Sequence, residues 1–391
     1  MGLCAMRKTQ EGIAISLIRG GTFYWAQEKI GLVRPDQWNL GKRVLLAVAV
    51  AWIPLVILTA MHNGSDLYEL LTDYRVYARA FIAIPLLLIA QVGMERRFRE
   101  TARYFLDANL VRTEDLGHFR ALMEKARRLR DAKPPELIVL ALVYLQVGYF
   151  LEAGKLGGSR WAASVGGGGL TAAGYYSILI TQALFMAMLG LVIWKWLIWI
   201  LVMRDLSKMH LQLDPTDGDL SAGLGFLGEI PKTFTPVLLA ISVVIGASWR
   251  HEVMADQVAL KSLTMPAGLL AVVVVVIFIA PLALFTPFLA RTKRLGLNQY
   301  GALQHLHSLE FRKKWVEERN EHVAELLGNP DFSSLADISS SFKNVEEMKV
   351  FPFRKSAIVT LVLALTIPLL PVISVKIPLK ELLKGLLKAL H

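Results

Sequence analysis

The sequence predicts an all-α polytopic membrane bundle with about seven hydrophobic spans and helical cytoplasmic segments. Three observations predict it. The hydrophobic fraction is 54% over 391 residues, high for a water-soluble domain. Several apolar runs approach or exceed the roughly 20 residues a helix needs to cross a bilayer, and a helix pairs its own backbone groups there. The charged residues gather between these runs, in long basic segments that alternate with weakly basic ones.

Composition divides the chain into eight segments. Residues 1–43 form an N-terminal segment in which Ile13, Ile15, Leu17 and Ile18 interleave with Arg19, and Phe23, Tyr24 and Trp25 come next. This composition suits a helix on the membrane surface or a loosely ordered tail. No short apolar core precedes a small-residue cleavage site, so the first span is expected to act as the insertion signal.

Residues 44–94 hold the first two spans, near Val44–Met61 and Val76–Met94, with Arg79 toward the outer end of the second. Both contain Ile-Pro-Leu (Ile53-Pro54-Leu55 and Ile84-Pro85-Leu86), which recurs at Ile367-Pro368-Leu369. The tripeptide reads either as a faint internal repeat or as common apolar-helix usage, and a bilayer helix tolerates the kink.

Residues 95–135 are charged and helix-forming, with Leu116, Phe119, Leu122 and Met123 at helical spacing, until Pro134-Pro135. Residues 136–203 carry the third span (Leu137–Leu151) and the fourth (Tyr176–Met203), joined by a loop with Arg160, Gly157-Gly158 and Gly166 to Gly169. Residues 204–232 are an Asp- and Gly-rich loop. Residues 233–290 carry the fifth span (Phe234–Trp249) and the sixth (Pro266–Ala290). Residues 291–356 are a second charged helical segment, with a helix expected over Leu303–Leu327 and stopped by Gly328-Asn329-Pro330. Asp331 and Ser333 are candidate caps of a further short helix. Residues 357–391 hold a last span and a tail whose Leu382, Leu383, Leu386, Leu387 and Leu390 face away from Lys380, Lys384 and Lys388.

Of the 43 Lys and Arg residues, 32 lie in the N-terminal segment, residues 95–133, 204–232 and 291–356. Alternating spans put all four segments on one side, which the positive-inside bias makes cytoplasmic. The net charge of +11 is explained by this asymmetry rather than by nucleic acid. The expected setting is therefore a membrane crossed several times, with the N-terminus cytoplasmic; the bacterial inner membrane is what the resemblance given below implies. The lone cysteine, Cys4, excludes an intramolecular disulfide.

The 204–232 loop concentrates the candidate chemistry: Asp214, Asp217 and Asp219, then Gly218, Gly223, Gly225 and Gly228, then Pro231. Three acids in a flexible loop could offer oxygens to a hard cation, but their spacing is not that of an EF-hand. The other reading, which the spacing favours, is an Asx-rich turn that caps the next segment of the chain. Asp217, Asp219, Gly223 and Gly225 are the candidate functional positions there.

Lys195 is the one clear charge well inside a span, beside Trp194, Trp196 and Trp199. Its ammonium could snorkel to the headgroups within an aromatic belt, the favoured reading, or line a pathway. Gln91, Gln146, Gln182 and Tyr144 are expected to hydrogen-bond between helices. His305, His307 and His322 fit a solvated helix face rather than a metal site. No hydrolase or zinc-protease motif occurs, and no cofactor is expected.

The stretch LDPTDGDLSAGLGFLG, with Asp219 and then Leu224-Gly225-Phe226-Leu227, resembles a loop motif in a group of bacterial multi-pass inner-membrane proteins. That motif is a His-Pro-Asp followed by a Gly-Gly-Leu-Gly-Phe-Leu-like tail. This chain has Asp217 in place of the histidine and Gly218 in place of the proline, which puts an imidazole role in question. NPDFSSLADISSSF, with Met348 and Pro352 after it, is similar to a second motif of the group. The resemblance covers about a fifth of the chain and implies fold and location; it brings no activity. The first reading of function is a conduit for an ion or small solute; the alternative is a scaffold or sensor whose cytoplasmic cap binds a partner protein, with a membrane-embedded enzyme third. A homo-oligomer is compatible with either, and the bilayer is the common partner.

Overall fold

Apolar runs of bilayer length become helices of bilayer length. The computed structural model describes residues 20–32, 39–62, 64–152, 161–163, 169–255, 257–317 and 329–374. Their helices, in chain order, are α1 (Thr22–Lys29), α2 (Leu40–His62), α3 (Gly64–Thr72), α4 (Tyr74–Asp107), α5 (Leu116–Asp131) and α6 (Lys133–Glu152). Next come α7 (Ala172–Leu206), α8 (Gly225–Ala255), α9 (Leu260–Glu317), α10 (Pro330–Glu347) and α11 (Lys355–Val372). Among the described residues no strand forms; Val111 with Leu211 and Ala163 with Leu170 make isolated bridges.

Six helices, α2, α4, α7, α8, α9 and α11, are long and apolar enough to cross a membrane. Helix α6 corresponds to the third expected span; at 20 residues it rises about 30 Å, the thickness of a bilayer's hydrocarbon core. The outer faces of these helices are aliphatic. Leu45, Ile53 and Ile57 of α2, Leu142 and Leu145 of α6, and Leu269, Val272 and Val276 of α9 are all exposed. Such a continuous apolar exterior belongs against lipid. The protein is an all-α membrane bundle.

The interior is filled by small residues where helices cross and by aromatic rings elsewhere. Ala51, Ala80, Ala83 and Ala90 are fully buried, which lets backbones approach. Toward the end of the bundle that carries residues 204–224, here called the loop end, Phe98 stacks on Trp199 at 4.5 Å between ring centroids. Trp196 packs on Phe234 at 4.6 Å and Phe234 on Phe278 at 4.5 Å. These five rings, from four helices, are buried.

Prolines set the irregularities. Pro54 has no N–H to give the carbonyl of Val50 four residues earlier. The Tyr176 hydroxyl of α7 donates to that carbonyl at 2.7 Å, and Thr181 Oγ1 donates to the neighbouring Ala51 carbonyl at 3.1 Å. Both donors belong to a stretch of α7 whose residues Ser177–Gln182 form a widened turn. A second widened turn, Ala78–Ala83, precedes Pro85, and its exit amide, Ile84 N, donates five residues back to Arg79 O. The third Ile-Pro-Leu tightens the helix at Ile367–Leu369. There the Ser242 hydroxyl of α8 donates to the Leu365 carbonyl. Two of the three tripeptides thus have a nearby carbonyl bonded by a hydroxyl from another helix, as a proline needs in a bilayer.

Several boundaries differ from the sequence expectation. Pro134 and Pro135 lie in the first turn of α6 rather than before it, where a missing N–H costs nothing. The Gly-rich tail of the loop is not free backbone: Gly225–Phe234 is a tight helical turn that leads into the rest of α8. The sixth span does not stop at Ala290. After a tight stretch at Ala280–Phe285, α9 runs on through Arg312. From Arg291 to Arg312 it extends about 30 Å past the apolar run and packs against α10 as a hairpin. The expectations for Cys4, residues 1–19, Arg160, the 157–158 and 166–168 glycines, His322 and the tail beyond residue 374 fall outside the described residues.

Candidate functional site: the acidic loop and a basic cavity

The acidic loop is wound around Asp219. Its Oδ1 accepts from the amides of Ser221 (2.6 Å) and Gly223 (3.1 Å), and its Oδ2 from Gly225 (2.7 Å). Asp217 accepts from the Asp219 amide at 2.9 Å, and Asp214 from the amide and hydroxyl of Thr216 at 2.9 and 2.6 Å. Short Asp side chains reach amides two residues on, the chemistry that favours Asp in turns. To aim three amides at one carboxylate the backbone turns left-handed at Leu220 (φ 55°), Ala222 (φ 54°) and Gly223 (φ 89°). A Cβ on Gly225 would lie 2.9 Å from Asp219 Oδ2, so the glycine permits the close approach. Among the described residues no three His, Cys, Asp or Glu side chains converge as a metal site would require.

The loop ties together segments that the sequence leaves separate. Gln212 N donates to Leu110 O at 2.8 Å, and Lys349 N to Leu220 O at 2.7 Å. Asn344 Nδ2 of α10 donates to Thr216 O at 3.1 Å. Phe226 packs against Tyr104 and Phe105 at the end of α4. Glu229 pairs with Lys232 at 2.8 Å and Arg354 at 3.3 Å, and Lys125 of α5 with Asp205 at 2.9 Å. On charge alone the basic neighbours Arg291, Lys293 and Arg294 would meet the acids. Lys293 instead donates to the carbonyls of Glu346 (2.7 Å) and Met348 (2.8 Å), where the end of α10 leaves acceptors unfilled.

Lys195 lines a small polar cavity inside the loop end of the bundle, together with Gln27, Arg43, Gln91, Arg130 and Glu136. The sequence favours the headgroup belt for this side chain; in the fold its neighbours around the cavity come from five other helices, α1, α2, α4, α5 and α6. Arg43, buried in the first turn of α2, donates to Gln27 Oε1 of α1 at 2.7 Å and to Gln91 Oε1 of α4 at 3.0 Å. Arg130 pairs with Asp131 at 2.6 Å. The indole N–H of Trp194, also on the cavity wall, is buried and donates to no described protein atom. The cavity measures about 20 Å³, room for one or two waters at roughly 10–15 Å³ each.

Of the predicted positions, Asp217, Asp219, Gly223 and Gly225 meet in the loop, and Lys195 stands apart in the cavity. Gln91 bonds between helices as expected. Sequence reasoning misses Arg43, Gln27, Arg130 and Glu136. In sequence, Arg43 is one more basic residue before a span, and no local signal separates it from an ordinary anchor.

On the projecting hairpin, His307 Nε2 lies 3.0 Å from Ser334 Oγ, and the exposed His305 belongs to the same helix. Asp331 accepts from Lys314 Nζ at 2.8 Å and Trp315 Nε1 at 3.1 Å. These two donors, the lysine first, hold the Asp331 carboxyl below its ordinary pKa. Compared with known proteins, the chain matches no family model, no curated protein and no solved structure.

Proposed function

We propose that the protein is a membrane-anchored scaffold or sensor that holds a partner protein at the loop end of its bundle. One observation carries this reading: the bundle centre is closed by packed rings while an apolar stripe is left open beyond the membrane. Phe98, Trp199, Trp196, Phe234 and Phe278 fill the middle of the loop end. On the hairpin, Leu303, Leu306, Val316 and Phe332 are between 41% and 63% exposed. A projecting helix whose apolar stripe is exposed among the described residues suits a helix-in-groove or helix-on-helix partner. The basic-residue asymmetry supports a cytoplasmic position for this end. The loop's resemblance to the bacterial group supports an inner-membrane setting.

A conduit for an ion or small solute is the second reading, favoured by the polar cavity at Lys195. In it, the 204–232 loop, which joins α7 to α8, would couple the hairpin to the spans.

The two readings separate in one pair of measurements. Photo-crosslinking from Leu303 and Leu306 in native membranes should give a discrete adduct, whose mass distinguishes a partner from a second copy. Purified protein in liposomes should pass anions, cations and small solutes no faster than protein-free liposomes. Flux abolished by Lys195→Leu, with no adduct from the stripe, would overturn the scaffold and establish the conduit.

A further inference from the structure

The basic cavity has an apolar neighbour. A groove of about 210 Å³ opens along α2 beside it, walled by Leu46, Ala47, Val50, Leu88, Leu184 and Met188. Gln27 and Arg43 line both spaces. An apolar groove on a membrane helix is ordinarily filled by lipid chains. This one ends at a guanidinium, and the guanidinium's cavity is lined by two further cations, Lys195 and Arg130, and by the carboxylate of Glu136, with Asp131 paired to Arg130 and Glu95 near Lys195.

We propose that groove and cavity form one binding site for a long-chain fatty acid drawn from the bilayer, with its carboxylate in the cavity and its chain in the groove. Charge chooses the sign of the head: the Lys195 ammonium lines the space together with Arg43, held by Gln27 and Gln91, and Arg130, paired with Asp131. The indole N–H of Trp194, which donates to no described protein atom, adds a donor at the same wall. Size chooses its kind. The cavity of about 20 Å³ admits a carboxylate in place of one or two waters, and a phosphodiester headgroup with its shell exceeds it. The chain contributes by apolar burial, which requires the groove to be open to lipid along α2. This site is separate from the hairpin, so its fate does not decide the scaffold reading.

The test is equilibrium binding of radiolabelled hexadecanoate to the full chain in phosphatidylcholine nanodiscs. Saturable binding is expected, displaced by unlabelled hexadecanoate and at least roughly tenfold less well by hexadecanol, the loss of one charge-assisted contact. Acetate, which has the head without the chain, should not compete. Lys195→Met should weaken binding, with Lys195→Arg restoring it, and Ala47→Trp should block the groove; unchanged gel-filtration profiles show that these variants fold. Equal competition by hexadecanol would overturn the head assignment. Unaltered binding in Ala47→Trp, or the absence of saturation in the parent chain, would overturn the site itself.

Discussion

Asp219 is the test of how the acidic loop holds together. Asp219→Ala removes an acceptor from three amides, those of Ser221, Gly223 and Gly225. The site is partly exposed, so each bond is taken at about 1 kcal/mol rather than at the value for a buried charge. Three give about 3 kcal/mol, before any relaxation of the left-handed residues around them. If the loop opens locally, that loss speeds amide exchange at residues 221–225 by roughly 150-fold. Asp219→Asn is informative because it keeps one oxygen. That oxygen can still accept from Ser221 and Gly223, but an amide nitrogen then faces the Gly225 N–H, for a cost of about 1–2 kcal/mol. Asp217→Asn, at an exposed position with one bond, should cost under about 1 kcal/mol. Hydrogen exchange with mass spectrometry on protein in nanodiscs reads all three. Unchanged exchange at 221–225 in Asp219→Ala, or a larger effect from Asp217→Asn, would refute the view that Asp219 organises the loop.

The hydroxyl at Tyr176 should matter because of Pro54: Tyr176→Phe is expected to cost about 1 kcal/mol in SDS unfolding, and to cost almost nothing in a Pro54→Ala background, where residue 54 regains its N–H. An additive pair would contradict that account of the carbonyl Pro54 leaves open. Phe98→Ala should destabilise by about 3–5 kcal/mol, since the ring is buried against Trp199; Leu145→Ala, 70% exposed toward lipid, should be near neutral in the same assay. Asp331 carries a pH prediction. Its folded pKa is depressed, so the contact with Lys314 and Trp315 contributes fully above the unfolded value of about 3.9 and is lost as pH falls through the folded value. The indole N–H resonance of Trp315 should therefore move only below about pH 3.9, and a transition near neutrality in the parent chain but not in Asp331→Asn would show the opposite shift.

Much of this protein is legible along the chain because bilayer solvation acts locally. A run of apolar residues must become a helix wherever it lies, since lipid offers its backbone no partner. Each of the seven expected runs is accordingly helical. The same locality makes the Asp214–Asp219 turn readable: an Asp reaches amides two residues away whatever the surrounding fold. Pro85 and Pro368 likewise mark in advance where helices depart from regular geometry.

Only the tertiary structure decided which side chains meet. A span hydrophobic on every side carries little periodic signal, so its rotation about its own axis is set by neighbours, not by its sequence pattern. That rotation turns Lys195 into a cavity with Arg43, Gln91 and Glu136, residues from four separate helices. It also places the Tyr176 hydroxyl on the carbonyl that Pro54 leaves open, across 126 residues of chain. The loop's Lys349–Leu220 and Asn344–Thr216 bonds have the same origin. Hydropathy and charge determine that the chain crosses a membrane; the packing of helix on helix determines where its buried charges stand, because a partner distant in sequence leaves no mark on the local pattern.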